Sequence, residues 1–175
     1  MSNSTHYIES FKKESLELIK SLFQIVDHVD DDLSKAKDLE TFGQYVDRIM
    51  GGVKIIALDL PEDHIAHQIA AYTEICKTVA YKASQITDNE NLLAVSVAFL
   101  ADATEVLETM VNNMGAEDKL DMEALFNHAF LDRLRWISGK FGKDVRGSVS
   151  EDTGNPEEAL GQEDIDELMK KLGIL

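Results

Sequence analysis

Leu39, Phe42, Val46, Ile49, Val53, Ile56 and Leu60 follow one another at alternating steps of three and four. Such spacing holds side chains on one side of an α-helix, whereas a strand would scatter them over both faces. A chain carrying this seam must bury it, and another helix is the natural cover. The pattern recurs on both sides of the segment. Phe11, Ser15, Leu18, Leu22, Ile25 and Val29 form an earlier stripe; Ile65, Ile69, Tyr72, Cys76, Val79, Ala83 and Ile86 form a later one. Cys76 thereby reads as a small core residue rather than a nucleophile.

Two further helical segments are predicted. Residues 89–114 are apolar on more than one side, with Leu92, Leu93, Val97, Phe99, Leu100, Leu107 and Met110 among them. A face this wide marks the most buried helix of a bundle or one that also meets a second copy, so a homodimer is open. Residues 121–141 carry Phe126, Phe130, Leu134, Ile137 and Phe141 at helical spacing. No strand-like alternation appears. The expected fold is all-α: a bundle of four to five amphipathic helices over residues 1–141.

Local signals set the expected boundaries. The acidic run "DHVDDD" ends the first helix and supplies caps for the next element. The second helix runs from about Lys35 to Leu60, with Gly51 and Gly52 marking a bend, a break or the close approach of another chain. Pro61 opens the third helix. Thr87 and Glu90 form a capping-box pattern before the fourth.

Charge narrows the partners. The formal charge is −16, a field that repels nucleic acid and anionic membrane surfaces and favours basic protein faces. No apolar run approaches the roughly 18 residues that a membrane helix requires. The N-terminal "MSNSTHYIESFKK" lacks a hydrophobic secretion segment, and a lone cysteine suits a reducing compartment, so a cytoplasmic location is expected.

After residue 141 the composition changes. Residues 142–160 are rich in Gly, Ser, Asp and Glu, and are read as a flexible acidic linker. Residues 161–175 then form a short amphipathic helix. Ile165, Leu168, Met169 and Leu172 share its narrow apolar face, with acids in the first turn and Lys170 and Lys171 in the last. A helix so short is marginal alone. The long polar connection favours docking into another protein's groove over a place in its own bundle.

The tail "LGQEDIDELMKKLGIL" resembles peptides by which chemotaxis and flagellar-motor proteins hold the response regulator CheY. It is similar to the N-terminal peptide of the flagellar switch protein FliM and to the C-terminal peptide of the CheZ-type phosphatases. The latter also follows a flexible linker, although "DELMKKLG" keeps its Asp-x-Leu-hydrophobic-x-x-Leu-Gly pattern only in part. This resemblance implies a CheY-like partner, held by Ile165, Leu168, Met169 and Leu172 with Asp164 and Asp166.

Glu40 and Gln44 lie one turn apart, nearly opposite the seam of the second helix, with Asp47, Arg48 and Gly51 close by. Gly43 and Gly51 add no bulk, which suggests room for a close approach. An exposed amide can hold a water in line for phosphoryl transfer, and a neighbouring carboxylate can grip a partner cation. "ETFGQYVDRIM" is similar to the "DLTGQ" helix of CheZ-type phosphatases in its Gly-Gln pair and in Arg48 and Met50. The resemblance implies that Gln44 orients the attacking water and Glu40 contacts the receiver lysine. This chain needs no cofactor of its own, since the receiver brings magnesium. Glu stands where that family has Asp, and the motif falls earlier in the chain. The alternative is a non-catalytic adaptor that docks on a response regulator or flagellar-motor protein through the same tail.

Other candidates are weaker. His64 and His67 have two-ligand spacing but no third ligand, so no metal site is assigned. Neither His67 nor His128 is followed by the Lys-Gly of a phosphotransfer histidine, and His28 sits beside acids. Trp136, with Phe130, Phe141, Arg133 and Arg135, reads as core and rim rather than a nucleic-acid surface.

Overall fold

The computed structural model describes residues 3–141 and 162–174. Within them the chain is all-α, with no strand. Helix α1 spans Asn3–Val29, a 3₁₀ turn covers Leu33–Asp38, and α2 spans Leu39–Ala57. Then come α3 (Ile65–Ala83), α4 (Glu90–Asn113), the single turn α5 (Met122–Leu125), α6 (His128–Lys140) and α7 (Gln162–Leu172). The expected linker at 142–160 lies outside the described residues.

The four long helices close a ring, α1 packing on α2 and α4 while α3 packs on the same two. Short connections make sequential neighbours antiparallel. Helix α6 lies on α4, and α7 lies on α3 and α6. Leu39, Phe42, Val46, Ile49 and Val53 of the α2 seam are buried, while Ile56 and Leu60 at its end are half-buried. In α1 the buried stripe is Phe11, Ser15, Ile19, Leu22, Val26 and Val29. Ile19 and Val26 take the central places expected of Leu18 and Ile25, which flank the core. Phe11, Ser15, Leu22 and Val29 are common to both stripes; at about 100° per residue Ile19 and Val26 fall to one side of that line and Leu18 and Ile25 to the other, and the first side is the one the neighbouring helices cover.

Local hydrogen bonds settle the helix ends. Asp30 adopts a left-handed φ of 49°, and Asp32 accepts from the Ser34 N–H at 2.9 Å to start the 3₁₀ turn. This turn separates α1 from α2, so the expected start of the second helix at Lys35 moves to Leu39. The third helix begins at Ile65, not Pro61, because the His64 imidazole accepts from the Ala66 N–H at 3.1 Å. Asn89 caps α4 by accepting from the Leu92 N–H at 2.9 Å, the role expected of Thr87. Asn127 does the same for Phe130 at 2.9 Å, dividing the expected fifth helix into α5 and α6.

Helix α2 runs through both of its adjacent glycines. A Cβ on Gly51 would meet nothing within 4 Å, whereas one on Gly52 would lie 3.1 Å from the Phe11 ring. Gly51→Ala is therefore expected to stabilise the fold by about 0.5–1 kcal/mol through helix propensity alone. Thermal unfolding should show a rise of about 1–4 °C, and Gly52→Ala should fall short of it.

Candidate functional site

Helix α2 sets both members of the Glu40–Gln44 pair on its outer side. Glu40 lies in the first turn, where the positive end of the helix favours a carboxylate. Its side chain is half-buried, and Gln44, one turn on, is exposed. Neither side chain makes a hydrogen bond or ion pair among the described residues.

Four neighbours, two from α2 and two from α3, complete the surroundings. Lys77 Nζ reaches Asp47 Oδ1 at 2.7 Å and lies 6.0 Å from the centre of the Tyr81 ring. The Tyr81 hydroxyl is held above its usual range, first by partial burial and then by Asp47 and Glu40, with Lys77 opposing them. Arg48 is taken by Glu14 at 2.6 Å. Lys77 and Tyr81 were not anticipated from sequence, because they are thirty or more residues away and only the α2–α3 packing brings them in. Their spacing of four on one helix is a signal visible only once the partner helix is known.

One expectation is corrected. Gly43 is not open space beside Gln44: it is buried, and a Cβ there would lie 3.0 Å from the Tyr81 ring. The small residue serves internal α2–α3 packing. Gly51, on the outer side, is the glycine that leaves the backbone approachable.

The arrangement has an uncommitted amide on a rigid helix with a carboxylate one turn away. An amide donates and accepts hydrogen bonds and a carboxylate accepts them, so the pair can position a water or a partner's cation. No group of three metal-ligating side chains occurs among the described residues. His64 is occupied as a helix cap, its pKa lowered by burial and then by nearby His67. His67 Nε2 lies 3.4 Å from the Leu60 carbonyl. His28 pairs with Asp38 at 3.1 Å, and His128 is the exposed first residue of α6. Cys76 is buried, and burial pushes its thiol up to about 12, which leaves it without thiolate at neutral pH. Phe130 and Phe141 are buried, while Trp136 sits at the rim with Lys140 Nζ 5.5 Å from its ring centre.

The tail residues are placed apart from this pair. Ile165, Leu168, Met169 and Leu172 are buried against α3 and α6 of the same chain. Gln68 donates to the Leu172 carbonyl at 3.3 Å, and an Arg135 guanidinium nitrogen lies 3.6 Å from Met169 Sδ. Asp164 is exposed and Asp166 half-buried. The apolar face assigned to a partner is thus covered by the bundle in this structure. Beside the end of α7 opens a cleft of about 470 Å³, lined by His64, His67, Lys119, Lys170 and Lys171 and by Glu62, Asp63, Glu117 and Asp118. Its mixed charge selects no ligand class.

Helix α7 meets the first turns of α3, whereas the Glu40–Gln44 pair lies beside the last turns. No helix is long and apolar enough to cross a membrane among the described residues. Comparison with protein-family models, with curated proteins and with solved structures gave no match.

Proposed function

We propose that this chain is a cytoplasmic regulator of chemotaxis signalling that binds a phosphorylated CheY-like receiver and speeds loss of its aspartyl phosphate. The observation that carries the reading is the exposed, unbonded amide of Gln44 one turn from Glu40. In this role Gln44 orients the attacking water and Glu40 grips the receiver lysine, while the receiver's own magnesium neutralises charge on the phosphoryl group. The tail supplies the tether: a second, weak contact raises the effective concentration of the first into about the millimolar range. Because α7 is docked in cis, receiver binding through Ile165, Leu168, Met169 and Leu172 requires that helix to leave α3 and α6.

The adaptor reading rests on a different observation. Glu40 is half-buried beside Tyr81, which shortens its reach, while docking through α7 needs no contribution from α2 at all. Phosphate release from a phosphorylated receiver separates the two. Under the proposed function the full chain accelerates release and Gln44→Ala lowers that acceleration by about 10²-fold with binding retained. An unchanged rate of release alongside retained binding selects the adaptor.

A further inference from the structure

Large apolar side chains in this bundle point inward, with few exceptions, and two of the exceptions stand together. Ile55 is 71% exposed and Leu58 is 84% exposed, both at the C-terminal end of α2. They are not scattered. Glu40, Gln44, Arg48, Gly51, Ile55 and Leu58 succeed one another at steps of four and three, which places all six within about 80° of the helix circumference. The outer side of α2 therefore carries its own seam, opposite the buried one. Its polar end is the Glu40–Gln44 pair and its apolar end is Ile55 and Leu58. At the middle lies Gly51, exposed and with nothing within 4 Å of a Cβ.

We infer that this outer stripe is one continuous docking surface for the receiver, with Ile55 and Leu58 as the apolar anchor that sets Gln44 against the phosphoryl group. The inference rests on the proposed function and names the surface through which it acts. Two physical considerations choose the occupant. From Glu40 to Leu58 the stripe is about 27 Å long and about 10 Å wide, an area well under the roughly 600 Å² per partner of the smallest specific interfaces. It is too small for a stable dimer but suits a transient contact that a second tethered contact completes. A second copy would also bring another −16 charge against the −16 of this chain. A partner that offers an apolar spot within a basic surround meets no such repulsion. Gly51 lets that partner's surface come down to the α2 backbone between anchor and amide.

The test uses the full chain and the double variant Ile55→Gln, Leu58→Gln, with a chemotaxis receiver of the same organism, in which beryllium fluoride and magnesium mimic the aspartyl phosphate for affinity and a small phosphodonor supplies the phosphoryl group for release. Glutamine keeps helix propensity and both sites are exposed, so helical content and melting should not move. Expected is a loss of receiver affinity of about tenfold or more, with phosphate release at low receiver concentration falling alongside it. Gln44→Ala should show the converse, a lost rate with affinity kept. Unchanged affinity of the double variant for a receiver that the parent chain binds overturns the inference and leaves the proposed function standing. A parent chain that binds no receiver overturns both. A dimer in sedimentation that the double variant converts to monomer assigns the stripe to self-association and overturns the inference.

Discussion

Phe130→Ala is expected to cost about 3–5 kcal/mol, the range for truncating a buried phenylalanine, which is a large share of the roughly 5–15 kcal/mol that stabilises a domain. Phe130 is 5% exposed and sits in a cluster drawn from three helices and a loop. Its ring centre lies 5.0 Å from Phe99 of α4, 5.6 Å from Phe126 and 6.4 Å from Tyr72 of α3. Tyr72 and Phe126 meet edge to face at 5.3 Å, and the Tyr72 hydroxyl donates to the Ala103 carbonyl at 2.7 Å. Removing Phe130 takes the central ring away from three others. Their packing is rigid, with Tyr72 fixed at its far end, so the void closes only in part.

The loss should also be uneven. Helix α6 has thirteen residues and packs on the ring of long helices mainly at α4, so it depends on Phe130, Leu131, Leu134 and Ile137 for its place. Urea unfolding should give the overall figure. Hydrogen exchange should show amides of α6 opening before those of α4, because elements with few tertiary contacts open at lower free energy. A destabilisation below about 1 kcal/mol would mean that the aromatic cluster is not what seats α6.

The ring of long helices was legible because its information is local and periodic. Leu39, Phe42, Val46, Ile49 and Val53 of the α2 seam are buried as their spacing puts them, and so is Cys76. Where the sequence misled, two local signals competed. Pro61 is a good first-turn residue, yet His64 offered a side-chain acceptor to a free N–H and started the helix four residues later. Thr87 had the capping-box spacing, but Asn89 is the stronger cap and stands one residue before the helix. The outer surroundings of Gln44 were half legible. Helical angle alone places Glu40 and Gln44 outward, but whether Gly43 faces solvent or Tyr81 depends on which helix neighbours α2, and periodicity within one segment holds no such information. The seat of α7 was illegible for the same reason: an apolar face of four residues states that it must be covered, not by which protein.

That ambiguity gives the second large effect. Ile165 is fully buried on α7, and Ile165→Asp would place a carboxylate in an apolar seat, a change that costs several kcal/mol when no partner answers it. Helix α7 has eleven residues, too few to hold as a helix in water by itself, so it should leave the bundle and lose its fold as one unit. Hydrogen exchange should then show unprotected amides across α7 while those of α2 and α4 hold. Receiver binding should fall as well, because the proposed partner needs the same face. The diagnostic comparison comes from the other side of the seat. Gln68→Ala with Arg135→Ala removes the contacts to the Leu172 carbonyl and to Met169 Sδ and leaves the apolar face of α7 intact. If cis docking competes with the receiver, the free fraction of α7 rises, and apparent affinity should improve by about fivefold to tenfold. The two changes loosen the same contact and should move receiver affinity in opposite directions. Weakening by both would mean that the receiver recognises α7 in its docked place on α3 and α6, and that the helix works without leaving its own bundle.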